Sequence, residues 1–159
     1  MNNDKLLRKH LVKLLEGDHA YMKMEKALKA IPFGIVHLKP EGVPYSIWQL
    51  VEHIRIAQWD IIEFSKSSDH ISPKWPDKYW PKETGPKNKN HWYQSLEKIE
   101  KYQQELTEMV IDSENDLLKP FEWGSGQTLL REVIVLAEHN AYHTGQILLL
   151  KKLLISNKV

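Results

Sequence analysis

The chain contains no cysteine. That excludes disulfides, thiolate metal ligands and a protein thiol as nucleophile, and it permits a reducing compartment. A dominant charge is also lacking. The 22 lysines and arginines offset 21 aspartates and glutamates, leaving a net charge of +1, so no global basic excess draws in nucleic acid. Long apolar runs are missing too. The leucine-rich C-terminal stretch is broken by Arg131, Glu132, Glu138 and two histidines, which argues against a membrane span. The opening residues, Met-Asn-Asn-Asp-Lys-Leu-Leu-Arg-Lys, lack the uninterrupted apolar core of a signal peptide. These absences lead to an expectation of a soluble, cytoplasmic globular protein with no nucleic-acid or membrane partner. At 159 residues the chain fits one domain, taken as residues 1–159.

Strand-like alternation and internal repeats are absent as well, whereas helical periodicity is plain. A first helix is expected from about Asp4 to Ile31, ended by Pro32, with Leu7, Leu11, Leu14, Leu15, Met22 and Leu28 on its core stripe. Gly17 within it predicts a kink or a close approach by another helix. A second helix is expected over about Ile47–Ser67, capped by Ser46, and a third over about Trp92–Val110. The fourth follows the Trp123-Gly-Ser-Gly turn with Thr128 as its cap. Four such helices predict an all-α fold, a four-helix bundle. Between the second and third helices, residues 68–91 hold Pro73, Pro76, Pro81 and Pro86 with Trp75, Tyr79 and Trp80 among them. Its aromatics favour order, either as a strap over the bundle or as a lid or wall of a pocket.

The stretch from Thr128 to Leu154 has no proline and one glycine, and it contains Glu-His-Asn-Ala-Tyr-His-Thr-Gly-Gln at 138–146. His139 and His143 are one helical turn apart, so both imidazoles leave the same face. Two neutral histidines so placed can bind one divalent cation, and a third from another helix would complete a facial set with open positions. One stripe of this helix carries Glu132, Leu136, His139, His143, Gln146 and Leu150. The rest of its circumference is largely apolar, which predicts a buried helix. Buried polar groups need partners. A metal would satisfy the histidines, and so would hydrogen bonds.

His53 is the best candidate for a third ligand. It falls at the edge of the second helix's apolar face, with Gln49 and Asp60 on the same side one and two turns away. A carboxylate there could orient the ring through its other nitrogen. Glu52 and Glu138 each precede a candidate ligand but diverge from it by about 100° around the helix, which argues against joint ligation. The pattern is not His-Glu-x-x-His, because Asn140 stands where a zinc protease has its general base, and no carboxylate is an obvious catalytic base. Gly145 is read as permitting close helix packing.

The segment Trp48-Gln-Leu-Val-Glu-His53, followed by His139-Asn-Ala-Tyr-His143-Thr-Gly-Gln146, resembles the DinB/YfiT-like superfamily. So do Gly17-Asp-His-Ala20, Trp75-Pro-Asp-Lys-Tyr-Trp-Pro81 and Gln127-Thr-Leu-Leu-Arg-Glu132, and the likeness covers nearly the whole chain. The resemblance implies a four-helix bundle with a long crossover connection and a divalent metal held by His53, His139 and His143. Zinc or nickel is the expected ion, although imidazole also suits copper and iron. Family members of known activity include thiol-dependent isomerases and S-transferases, and dimers are common among them. The resemblance therefore implies a metal-dependent transferase or hydrolase acting on a small molecule, using a low-molecular-weight thiol and forming a homodimer. A thiol or water deprotonated at the open position would be the nucleophile. The alternatives are a non-enzymatic metal- or ligand-binding bundle and a bundle with structural histidines. His19, beside Gly17, is a further candidate as fourth ligand, substrate contact or buried structural residue.

Overall fold

The computed structural model of the chain describes residues 3–17 and 20–156. Among these described residues five α-helices follow one another: α1 (Asn3–Glu16), α2 (Met24–Lys29), α3 (Ile47–Lys66), α4 (Lys89–Ile111) and α5 (Leu129–Ser156). Short 3-10 turns lie at Phe33–Ile35 and Asp77–Tyr79. Among the described residues there is no strand, and β pairing is confined to an isolated bridge between Pro120 and Thr128. The protein is all-α. Four main helices pack together, α1 and α3 each lying against both α4 and α5, which places α1 and α3 at opposite corners of the bundle. Among the described residues no helix is long and apolar enough to cross a membrane.

Local sequence sets most of the helix starts. Ser46 and Gln49 form a reciprocal capping box at α3: the Gln49 N–H donates to Ser46 Oγ and the Ser46 N–H to Gln49 Oε1, both at 3.1 Å. Thr128 Oγ1 accepts from the Arg131 N–H at 3.1 Å at the head of α5. α4 begins at Lys89, upstream of the expected Trp92, because Asn88 Oδ1 caps it by accepting from the His91 N–H at 2.9 Å. Its first turn, Lys-Asn-His, carries no apolar periodicity to reveal it.

The expected first helix divides into α1 and α2. Gly17 adopts φ +70°, the left-handed conformation that ends helices, so it terminates α1 rather than kinking a continuous helix. Leu11, Leu15 and Leu28 are buried as expected, but Leu14 and Met22 are exposed. α5 also departs from expectation. Its inner face is buried, yet Ile134, Tyr142, Leu149 and Leu153 stay exposed along its outer side. Gly145 lies on that outer side, where an added Cβ would meet nothing within 4 Å, so it does not serve helix packing within the chain.

The core consists of two apolar clusters separated by a polar layer. One cluster gathers Ile47, Leu50, Ile54, Leu96, Ile99, Ile147 and Leu150. The other gathers Leu11, Leu15, Ile62, Leu106, Val133 and Leu136. Between them α3 contributes Gln58, whose Nε2–H donates to Asn140 Oδ1 of α5 at 3.2 Å. On α5 the interval between the clusters, from Leu136 to Ile147, is where His139 and His143 lie.

Candidate metal centre

α5 projects His139 and His143 from one face, and α3 brings His53 against them. The Nε2 atoms of His53 and His139 are 3.0 Å apart. The three histidines each offer a nitrogen, all within 4.8 Å of one another, a group that could hold a metal ion. His53 and His143 are buried and His139 is half-buried.

Hydrogen bonds fix which nitrogen faces inward. His53 Nδ1 lies 2.9 Å from the Tyr79 carbonyl oxygen. A carbonyl only accepts, so Nδ1 carries the proton and the Nε2 lone pair points toward His139. His143 Nδ1 similarly donates to Gln146 Oε1 at 2.7 Å, freeing its Nε2. Burial lowers all three pKa values. His53 falls to about 4, with the Tyr79 carbonyl opposing the shift and His143 adding to it. His139 falls to about 3 through burial and then through His143 and His53. Burial lowers His143 as well, partly offset by its bond to Gln146. All three are therefore neutral near pH 7, the state that binds a cation.

The three histidines could hold a metal ion. Nitrogens bonded to one ion at about 2.0–2.1 Å, at angles of about 90–110°, lie roughly 2.9–3.4 Å apart. The 3.0 Å between His53 and His139 falls in that range. Without a cation the same contact requires His139 to carry its proton on Nε2, because His53 has already committed its own to Tyr79.

The segment between α3 and α4, residues 67–88, is an ordered strap over this cluster. Trp80 is stacked between His53 and Tyr45, with ring centroids 3.9 Å apart on each side and planes within 6° and 11° of parallel. Tyr79 is buried, whereas Trp75 stays 65% exposed with its ring 6.3 Å from His53. Tyr79 and Trp80 thus wall the cluster and Trp75 stands at its margin. Gln49 Nε2–H ties the strap down through the Pro81 carbonyl at 3.2 Å.

Two carboxylates behave differently from each other. Asp60, expected from its place on α3 to orient His53, does not touch that ring. It accepts from the Tyr79 hydroxyl at 2.5 Å and lies 2.7 Å from His70 Nε2, so it reaches His53 only through the main chain of Tyr79. Glu52 accepts from Nε and Nη2 of Arg55, each at 2.9 Å, and takes no part in the cluster, in line with its helical angle. His19 lies outside the described residues. Sequence reasoning missed the Tyr79 carbonyl, which no residue type announces, and gave no role to Gln146. The latter was detectable, three residues beyond His143 on the same stripe.

The sequence matches a protein-family model described as DinB superfamily over residues 16–147. Comparison with curated proteins and with solved structures finds no match.

Proposed function

The chain belongs to the DinB superfamily, and we propose that it binds a divalent metal, zinc or nickel, through His53, His139 and His143 and acts on a small molecule as a thiol-dependent transferase or a hydrolase. The observation that carries this reading is the convergence of imidazole nitrogens whose opposite ring positions are already engaged, His53 by Tyr79 and His143 by Gln146. Among the described residues only three side chains converge in this way, and neither a cysteine nor an acidic residue completes the group. Three protein donors leave room for an external ligand. When bound, the cation would supply Lewis-acid chemistry, lowering the pKa of a small thiol or a water beside it.

The chain's own contribution is orientation and shelter. Tyr79 and Gln146 hold two rings in the tautomer that presents Nε2, and burial keeps all three neutral. Trp80 covers one face of His53, so a reactant must approach from elsewhere. The thiol has to come from a small molecule, because the protein has none. A cytoplasmic location suits a cysteine-free chain of this kind. For the assembly we propose a homodimer, supported by the exposed apolar stripe of Ile134, Tyr142, Leu149 and Leu153 on α5. Light scattering should give twice the chain mass, and Leu149→Lys should return the monomer.

Elemental analysis of protein purified without a histidine tag tests the metal directly. Near-stoichiometric metal is expected in the parent protein and little in the His53→Ala, His139→Ala and His143→Ala variants, each still helical. Stoichiometric metal in the triple variant would overturn the assignment. For activity, a small thiol should bind the loaded protein with release of a proton, and a panel of epoxides, alkyl halides and activated double bonds then tests transfer. Thiol binding without turnover on any electrophile would favour the non-enzymatic binding protein.

A further inference from the structure

A largely buried polar cluster fastens the first half of the strap. Asp60, on α3, accepts the Tyr79 hydroxyl at 2.5 Å and approaches His70 Nε2 at 2.7 Å. The Asp60 and His70 side chains are only 13% and 10% exposed, and Tyr79 as a residue is 8% exposed. His70 opens the strap and Tyr79 lies in its middle, so a single carboxylate of α3 grips the segment at two points. Trp59, also on α3, packs edge-on against His70, with ring centroids 5.1 Å apart. The same Tyr79 that Asp60 holds by its side chain holds His53 by its main chain, through the 2.9 Å bond to Nδ1. The next residue, Trp80, lies flat on His53. No side chain in this relay other than His53 belongs to the three-histidine group.

We propose that Asp60 and Tyr79 are positioning residues for the metal centre: the Asp60–Tyr79 latch holds the Tyr79 carbonyl on His53 and thereby fixes the ring's tautomer and angle. The inference rests on the metal-binding reading above but makes a separate demand on the molecule. A carbonyl supplied by an irregular segment is placed only as well as the segment is placed. The Asp77–Tyr79 turn has its own hydrogen bond, from the Tyr79 N–H to the Pro76 carbonyl at 3.0 Å, but that bond fixes the turn's shape and not its height above α3. The hydroxyl-to-carboxylate bond supplies the height. Hydroxyl-to-carboxylate bonds are among the stronger hydrogen bonds available, and outer partners of metal-binding histidines typically change metal affinity by about 10–100-fold.

The test uses the full chain with Tyr79→Phe, which keeps the ring and removes the hydroxyl, and Asp60→Asn. Ile62→Val, in the core away from the strap, serves as a control for general destabilisation. Two quantities are read: zinc affinity by competition with a chromophoric chelator, and the His53 tautomer in metal-free protein from imidazole nitrogen chemical shifts. Tyr79→Phe should lower zinc affinity about tenfold and shift His53 from the Nδ1–H form toward a mixture, with Asp60→Asn acting in the same direction and Ile62→Val changing neither. Parental affinity and an unchanged tautomer in folded Tyr79→Phe would overturn the latch. If the parent protein binds neither zinc nor nickel, the metal reading fails, while the tautomer measurement still decides whether the latch orients His53.

Discussion

His53 and Tyr79 are joined through the main chain of one and the ring of the other: the Tyr79 carbonyl accepts from His53 Nδ1 at 2.9 Å, and this leaves the second nitrogen free toward His139. The helix that carries His53 sets where the ring starts, and an irregular strap sets how it is turned. The consequences extend to pH dependence, to the aromatic cover and to the stability of the frame beneath.

Metal-free protein should lose stability as the pH falls through the weakly acidic range. In the unfolded chain histidine takes up a proton near pH 6.5, whereas in the fold His53 does so only at about 4 and His139 at about 3. Between those limits the unfolded state holds more protons, so stability declines as the pH drops from about 6.5 and is unaffected above it. Each histidine loses about 1.4 kcal/mol for every pH unit between its unfolded and folded titrations, so His53 and His139 together should cost roughly 7 kcal/mol by pH 4. Urea midpoints of chelator-treated protein at pH 7.5 and 4.5 measure it. His139→Gln should show a shallower decline, and an equal slope in that variant would count against burial as the cause.

Replacement of Trp80 separates cover from coordination. Trp80→Ala removes the stacking on both His53 and Tyr45, worth about 0.5–1.5 kcal/mol for each ring pair, and should lower the melting temperature accordingly. Metal content should stay near that of the parent, because no ligand atom is lost, while binding of a small thiol weakens. Calorimetry and elemental analysis on the same preparation give both numbers. Unaltered thiol binding would mean that Trp80 is a packing residue only.

Arg8 should prove one of the least replaceable side chains outside the histidine cluster. Its guanidinium donates to the carbonyls of Val110, Asp112 and Asn115 at 2.8–2.9 Å, closing the end of α4 from α1, and it also bonds Asp4 at 2.8 Å. Arg8→Ala strips donors from three carbonyls and should cost about 3 kcal/mol. Lysine restores the charge without the planar fork, so Arg8→Lys should recover only part of the loss in a denaturant titration.

Ser46 acts at two places. Its side chain accepts from the Gln49 N–H to cap α3, and its hydroxyl donates to the Thr84 carbonyl at 2.6 Å, holding the far end of the strap. Ser46→Ala should cost about 1 kcal/mol for the cap and about 0.5–1.5 kcal/mol for the second bond. Amide hydrogen exchange should then speed up in the strap as well as in the first turn of α3. Faster exchange confined to α3 would show that Thr84 does not depend on Ser46.

What the sequence determined by itself was whatever short-range chemistry and periodicity can carry. Ser46 and Thr128 announced helix starts, since a cap and the amide it serves are only a few residues apart. The four-residue spacing of His139 and His143 put both on one face, because helix geometry alone requires it. Composition excluded a protein thiol outright. The resemblance carried by the segments around His53 and His139 anticipated the family that residues 16–147 match. The break at Gly17 was visible as a glycine, but whether it would kink or end the helix depended on what the following residues could pack against. The outer face of α5 read as buried because it is apolar, and hydrophobicity does not say whether a neighbour exists to cover it. The approach of His53 to His139 spans 86 positions of the chain, and the Tyr79 carbonyl reaches His53 across 26. No local pattern encodes such distances. They are fixed by how α3 and α5 pack side by side and by how the strap is tied to α3. A backbone carbonyl belongs to every residue alike, so only the tertiary structure could decide that Tyr79 supplies the one that turns His53 toward its partners.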